Sequence, residues 1–142
     1  MAAGVASSER VPAELLLGMT EVESGGNPCV VSYVRNGVRT RRYSCGERMP
    51  AGFSRSTFCG LTQAKAHGWR DCLALRSPLL VYRRTVSELE AWLDFSWCRR
   101  SRNRMRCALL GYGGGLAAIE RNDVNRYPER VFSRAKIIAK PK

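Results

Sequence analysis

The sequence predicts a mostly α-helical domain of the α+β class with one small β-hairpin. Several segments repeat apolar residues at helical spacing, whereas one stretch carries β-branched residues on both sides of an Asn-Gly pair. The chain has 142 residues, enough for one domain with a core, and its 44% apolar and 25% charged residues are typical of a folded protein. We expect residues 1–8, which are small and polar, to be flexible and residues 9–142 to form the domain.

The first predicted helix covers residues 12–24. Pro12 suits a first helical turn, and Gly-Gly-Asn-Pro at residues 25–28 ends the helix. Its core face is expected to consist of apolar residues at helical spacing: Leu15, Leu16, Met19 and Val22.

The predicted hairpin follows directly, with strands at residues 30–34 and 38–43 joined by Asn36-Gly37. Residues 44–59 contain Gly, Pro and several Ser residues, so they are predicted to form a loop. A short helix is predicted over residues 62–67, ending at Gly68.

The C-terminal part of the chain predicts further helices. Ser77-Pro78 is typical of a helix cap followed by a first-turn proline, and the apolar stripe after it extends to about Cys98. A second helix is predicted over residues 105–112, broken by the glycines at 113–115, and a last one over residues 126–138.

The net charge of +12 favours partners that are polyanionic, which include nucleic acids, anionic membranes and bacterial envelopes. Five of the eight residues from Arg99 to Arg106 are Arg, and we expect a solvated loop there. No aromatic residue accompanies the run and no nucleic-acid-binding motif is present, so specific nucleic-acid binding is not expected. No apolar run is long enough to span a membrane.

The six cysteines and the N-terminus bear on the cellular compartment. The first residues lack the apolar segment of a secretion signal, so we expect another route to deliver the chain if it acts outside the cytoplasm. Free buried thiols are then the expectation, although a bond between Cys98 and Cys107 would close a short loop. With no C-x-x-C pair and one histidine, we expect no metal and no cofactor.

Glu23 is the strongest candidate for a catalytic residue. It lies at the predicted C-terminal end of the first helix, where the helix dipole is negative, and Val22 and Met19 predict partial burial. Both effects disfavour the ionised carboxylate and raise its pKa. A carboxylic acid that stays protonated near neutral pH can protonate a glycosidic oxygen. An ordinary surface glutamate remains the alternative from these residues alone.

Four segments, in order, resemble those of the soluble lytic transglycosylases, which are lysozyme-like enzymes. Glu-Ser-Gly-Gly-Asn-Pro at residues 23–28 is similar to the family's Glu-Ser motif, and Gly-Leu-Thr-Gln at 60–63 to its Gly-Leu-Met-Gln segment. Ala-Leu-Leu-Gly-Tyr-Gly-Gly-Gly at 108–115 resembles Ala-Leu-Ala-Ala-Tyr-Asn-x-Gly, and residues 127–131 resemble the Tyr-Val-x-x-Val of the closing helix. Two departures are Gly113, where the family has Asn, and a longer stretch between the first two segments.

The resemblance implies a peptidoglycan lytic transglycosylase with a hairpin beside the active-site cleft. Glu23 would protonate the leaving oxygen of the MurNAc-GlcNAc β-1,4 bond and then accept the proton of the muramic acid C6 hydroxyl. Ser24, Gln63, Tyr112 and Tyr127 would contact the acid or the sugars. The possible second carboxylates, Glu21, Glu47 and Asp71, have no motif around them, which favours a transglycosylase over a hydrolase.

Other functions remain open at this stage. A muramidase on the same fold, a basic nucleic-acid-binding module and a structural virion protein with a decayed site are the alternatives, and Gly113 is the main indication of decay. A basic wall-cutting domain without a signal fits a bacteriophage virion or lysis protein, or part of a secretion apparatus. We expect it to act in the host envelope or periplasm, with peptidoglycan and other virion or secretion-apparatus proteins as candidate partners.

Overall fold

The structure is a computed structural model that describes residues 8–54, 57–122 and 126–139. Almost all of the N-terminal segment predicted to be flexible lies outside these residues. The prediction of a mostly α-helical α+β fold is confirmed, because the described residues form mainly helices and one small four-stranded antiparallel sheet. The helices are α1 (Ala13–Ser24), α2 (Trp69–Ala74), α3 (Pro78–Asp94), α4 (Ser96–Arg99), α5 (Arg104–Arg121) and α6 (Tyr127–Ala139). The strands are β1 (Val31–Arg35), β2 (Val38–Arg42), β3 (Phe58–Cys59) and β4 (Ala64–Lys65).

Helix α1 forms within one residue of its predicted bounds. Leu15, Leu16 and Met19 are buried and Val22 packs against the core, as the helical spacing requires. Gly25 takes the left-handed conformation (φ 62°) and donates its N–H to the carbonyl of Glu21, which ends the helix. Glu23 is therefore held in the last turn.

The predicted hairpin is confirmed, with β1 and β2 antiparallel and Arg41 opposite Ser32. Asn36 and Gly37 both have positive φ (51° and 76°), the conformation that an Asn-Gly turn supplies at low cost. The sheet order is β2-β1-β3-β4, so the hairpin forms one side of the sheet.

Two predictions between residues 44 and 67 are wrong. The end of the predicted loop forms β3, and the segment predicted as a helix forms a turn and β4. Gly60 (φ 86°) and Gln63 (φ 54°) are left-handed, which interrupts a right-handed helix, and β1 offers β3 a backbone partner. A Cβ on Gly60 would also collide with the carbonyl oxygen of Leu75, so this turn requires glycine.

The C-terminal helices also differ from the prediction in detail. Helix α3 ends at Asp94 because Phe95 is extended (ψ 137°), and a short α4 follows. Helix α5 continues through the first two glycines, and its kink lies at Gly115 (φ 69°). Within α5, the indole of Trp92 packs against Gly111 in the space that a Cβ would occupy.

Helices α1 and α6 approach so closely that Gly18 is needed between them. A Cβ on Gly18 would lie 2.8 Å from the carbonyl oxygen of Val131 and 2.9 Å from the amide nitrogen of Ala135. This contact fixes Glu23 on α1 relative to Tyr127, the first residue of α6.

The prediction of free thiols is wrong. All six cysteines form disulfides, which join Cys29 to Cys45, Cys59 to Cys72 and Cys98 to Cys107. The fold brings the Cα atoms of each pair to 5.0–5.5 Å, within the range that a disulfide spans. No helix of the described residues is long and apolar enough to cross a membrane.

Candidate active site

A cleft of about 160 Å³ lies where the end of α1, the sheet, α5 and α6 meet. Four of the five residues predicted as site residues line it together. The complete lining is Glu23, Arg39, Arg41, Phe58, Gln63, Tyr112, Gly113, Tyr127 and Arg130.

Glu23 is half-buried at the end of α1, as predicted. Burial raises the pKa of Glu23 to about 7, since the charged carboxylate loses hydration there. The positive charges of Arg41, Arg130 and Arg39 lower the pKa and offset part of this effect. A carboxyl group in this state can both donate and accept a proton near neutral pH.

Gln63 lines the cleft, but its side chain is mainly engaged with the backbone. Its amide nitrogen donates to the carbonyl oxygens of Val30 (2.8 Å) and Gly60 (2.9 Å), which uses both of its hydrogens. Its oxygen accepts a hydrogen bond from the Ser32 hydroxyl at 2.6 Å. Gln63 therefore joins β1 to the β3–β4 turn and forms a rigid floor, with one lone pair of its oxygen left for a ligand.

Ser24 is not among the lining residues. Its hydroxyl donates to the carbonyl of Thr20 (3.0 Å) and accepts from the amide of Gly26 (3.2 Å). These bonds stabilise the turn that ends α1. Ser24 thus acts on Glu23 through the backbone.

The two tyrosines differ in how their hydroxyls are satisfied. The Tyr112 hydroxyl donates to the carbonyl of Thr62 at 2.7 Å and lies 3.3 Å from the Thr85 hydroxyl. The Tyr127 hydroxyl is buried and has no hydrogen-bond partner among the described residues. Burial raises the pKa of both phenols above the usual range. Both therefore remain protonated donors at neutral pH, and the hydroxyl of Tyr127 makes no hydrogen bond within the described residues.

Gly113 has a packing role. A Cβ at this position would lie 3.2 Å from the ring of Tyr127, tighter than an ordinary contact. The ring of Tyr127 thus occupies the space beside residue 113.

Sequence reasoning missed Phe58 and three arginines of the lining: Arg39, Arg41 and Arg130. Arg39 and Arg41 are two apart in β2 and share a face, and Tyr127 and Arg130 are three apart in α6. This periodicity was a usable signal once Tyr127 was assigned to the site. Arg41 donates to the carbonyl of Glu23 at 2.9 Å, which ties the sheet to the end of α1.

The candidate second carboxylates lie away from the cleft. Glu21 lies 3.7 Å from Arg134, Glu47 lies 3.2 Å from Arg76, and Asp71 pairs with both terminal nitrogens of Arg84. Within the described ranges, the lining contains one carboxylic acid, Glu23. The described residues also include no group of three or more metal-ligating side chains.

Comparison of the chain with protein-family models, curated proteins and solved structures finds no match in any of the three. The function is therefore inferred from the geometry of the cleft.

Proposed function

We propose that this protein is a peptidoglycan lytic transglycosylase that cleaves the MurNAc-GlcNAc β-1,4 bond with Glu23 as acid and base. The observation that carries the proposal is a single half-buried carboxyl group with a pKa of about 7, in a cleft whose described lining has no second carboxylate. We also propose that the domain has a lysozyme-like fold.

The chemistry requires one group that moves a proton in both directions. Protonated Glu23 donates its proton to the leaving glycosidic oxygen, and the C1–O bond breaks. The C6 hydroxyl of muramic acid attacks C1 as its proton passes to the Glu23 carboxylate, which leaves a 1,6-anhydro end and restores the acid. A hydrolase that uses paired carboxylates holds the second one ~5–9.5 Å away to act on water or on C1. The pairing of Glu21, Glu47 and Asp71 with arginines elsewhere supports the intramolecular route.

Tyr127 supports a polar ligand in the cleft. The Tyr127 hydroxyl lies buried at the wall of the cleft without a partner, which costs about 1–3 kcal/mol, and a ligand oxygen that reached it would recover this free energy.

The disulfides support a site of action in an oxidising compartment. Such bonds persist outside the reducing cytoplasm, for example in the bacterial periplasm. A virion or a secretion apparatus that delivers the enzyme to the host envelope is consistent with this chemistry.

The proposal is tested by digesting purified sacculi and analysing the released muropeptides by mass spectrometry. We expect products that end in 1,6-anhydro-muramic acid. Glu23→Gln should lower the rate by ~10²–10⁴-fold, the usual cost of losing a general acid. Glu21→Gln is the matched control, because Glu21 is exposed on the same helix and lies outside the cleft lining.

Other outcomes assign other functions. Reducing ends in most products would identify a muramidase. Intact sacculi together with tight DNA binding would identify a nucleic-acid-binding protein, and intact sacculi alone would favour a structural role.

A further inference from the structure

Three arginines that line the cleft lack the ion pair that some other arginines of the fold form. Five arginines of the described residues lie next to a carboxylate, with nearest nitrogen–oxygen distances between 2.5 and 3.7 Å: Arg10, Arg76, Arg84, Arg106 and Arg134. Arg39, Arg41 and Arg130 have no such ion pair among the described residues, although they surround one cleft. These three positive charges share the cleft with one carboxyl group, Glu23, which is only partly ionised at neutral pH, so the cleft keeps a net positive charge and favours an anionic ligand.

The three guanidinium groups come from two sides of the cleft. Arg39 and Arg41 lie on one face of β2, and Arg130 lies on α6 beside Tyr127. All three arginine residues are exposed, so their free N–H groups remain accessible from solvent.

Two of the guanidinium groups are held in position. Arg39 lies 5.0 Å above the ring of Phe58, a cation–π contact. Arg41 donates to the Ser32 hydroxyl at 3.1 Å and to the Glu23 carbonyl at 2.9 Å. These contacts reduce the conformational entropy that ligand binding would otherwise cost.

We infer that Arg39, Arg41 and Arg130 form an anion subsite beside Glu23 that binds a carboxylate carried by the glycan substrate. The inference rests on the proposed function, because it names the part of that substrate which the site recognises. Guanidinium groups bind carboxylates through paired, charge-assisted hydrogen bonds. In peptidoglycan such a carboxylate is carried either by the lactyl group of muramic acid without a stem peptide or by the stem peptide itself.

Binding of non-cleaved oligosaccharides tests the subsite directly. The probe is a tetrasaccharide of alternating N-acetylglucosamine and N-acetylmuramic acid with free lactyl carboxylates, compared with the same sugar as its lactyl methylamide. A second pair carries stem dipeptides that end in D-glutamate or in its diamide. Calorimetry on the Glu23→Gln protein measures affinity without turnover.

At least one free-carboxylate probe should bind about tenfold more tightly than its neutral counterpart, the effect of a charge-assisted hydrogen bond. The pair that shows the difference identifies the source of the carboxylate. Adding Arg39→Gln and Arg130→Gln should abolish the preference. Adding Arg99→Gln and Arg102→Gln instead should retain it, because these exposed arginines lie outside the cleft lining.

Two results would overturn the subsite. One is equal affinity, or no binding, for charged and neutral probes, and the other is a carboxylate preference that survives loss of Arg39 and Arg130. The comparison of charged and neutral probes needs no arginine variant, so a folding defect in a variant cannot mask the first result. A carboxylate preference without sacculus cleavage would refute the proposed reaction and keep the subsite. Cleavage of sacculi without a carboxylate preference would refute the subsite and keep the proposed reaction.

Discussion

Replacing Glu23 by glutamine should lower activity by ~10²–10⁴-fold and also stabilise the protein at alkaline pH. The pKa of Glu23 rises from 4.5 to about 7 in the folded protein. At pH 7 about half of the folded molecules carry the catalytic proton, against well under 1% for an unperturbed glutamate. The environment that makes Glu23 an effective acid is therefore unfavourable to its ionised form.

The sign of the stability effect follows from proton linkage. Between pH 4.5 and about 7 the folded state binds more protons at Glu23 than the unfolded state, so stability falls as pH rises through this window. Above it the ionised carboxylate costs up to about 3 kcal/mol, the free energy of the pKa difference. Glutamine is neutral at every pH and removes this cost. At pH 4, where the carboxyl is protonated in both states, the two proteins should be nearly equally stable.

Urea unfolding and thermal melting at pH 4 and pH 8 measure this difference. A gain of about 3 kcal/mol corresponds to roughly 6–12 °C for a domain of this size. Glu21→Gln, on the same helix and exposed, should change stability by less than about 1 kcal/mol at both pH values. Equal melting temperatures for the parent and Glu23→Gln at pH 8, or the same gain at pH 4, would refute the assignment of a buried, pKa-shifted acid.

Three further predictions follow from other parts of the fold. Reduction of the three disulfides should lower the melting temperature by roughly 6–12 °C per bond. Each bond closes a separate loop, which contributes about 3 kcal/mol of stability in the chain-entropy model. An unchanged melting curve would contradict this contribution. Gly18→Ala should lower the free energy of unfolding in urea by about 1–3 kcal/mol, because α1 and α6 must separate to admit the Cβ. Gly46→Ala is the control and should be nearly neutral, since its Cβ would meet no atom closer than 3.7 Å. Changing Arg99, Arg100 and Arg102 to Gln should weaken binding to sacculi at low salt and much less at high salt, and slower cleavage of short soluble glycans would argue against a pure recruitment role.

Local sequence signals determined the position of the proposed acid and of the elements with clear boundaries. Pro12 and Gly25 bound α1 and thereby put Glu23 in its last turn, and Asn36-Gly37 specifies the hairpin turn. These features depend on backbone preferences of a few adjacent residues, so they can be predicted without knowledge of distant contacts. The resemblance to a family added Gln63, Tyr112 and Tyr127, which the fold brings into one cleft.

Tertiary structure alone decided the remaining features. The two-residue strands β3 and β4 are too short to show a periodic pattern, and they exist because β1 supplies a hydrogen-bonding partner for β3, which in turn pairs with β4. Disulfide pairing depends on which cysteines approach in space, and six cysteines allow 15 pairings that spacing cannot separate. The convergence of Arg39, Arg41 and Arg130 has the same origin, since β2 and α6 are far apart in sequence and meet only through packing around α1.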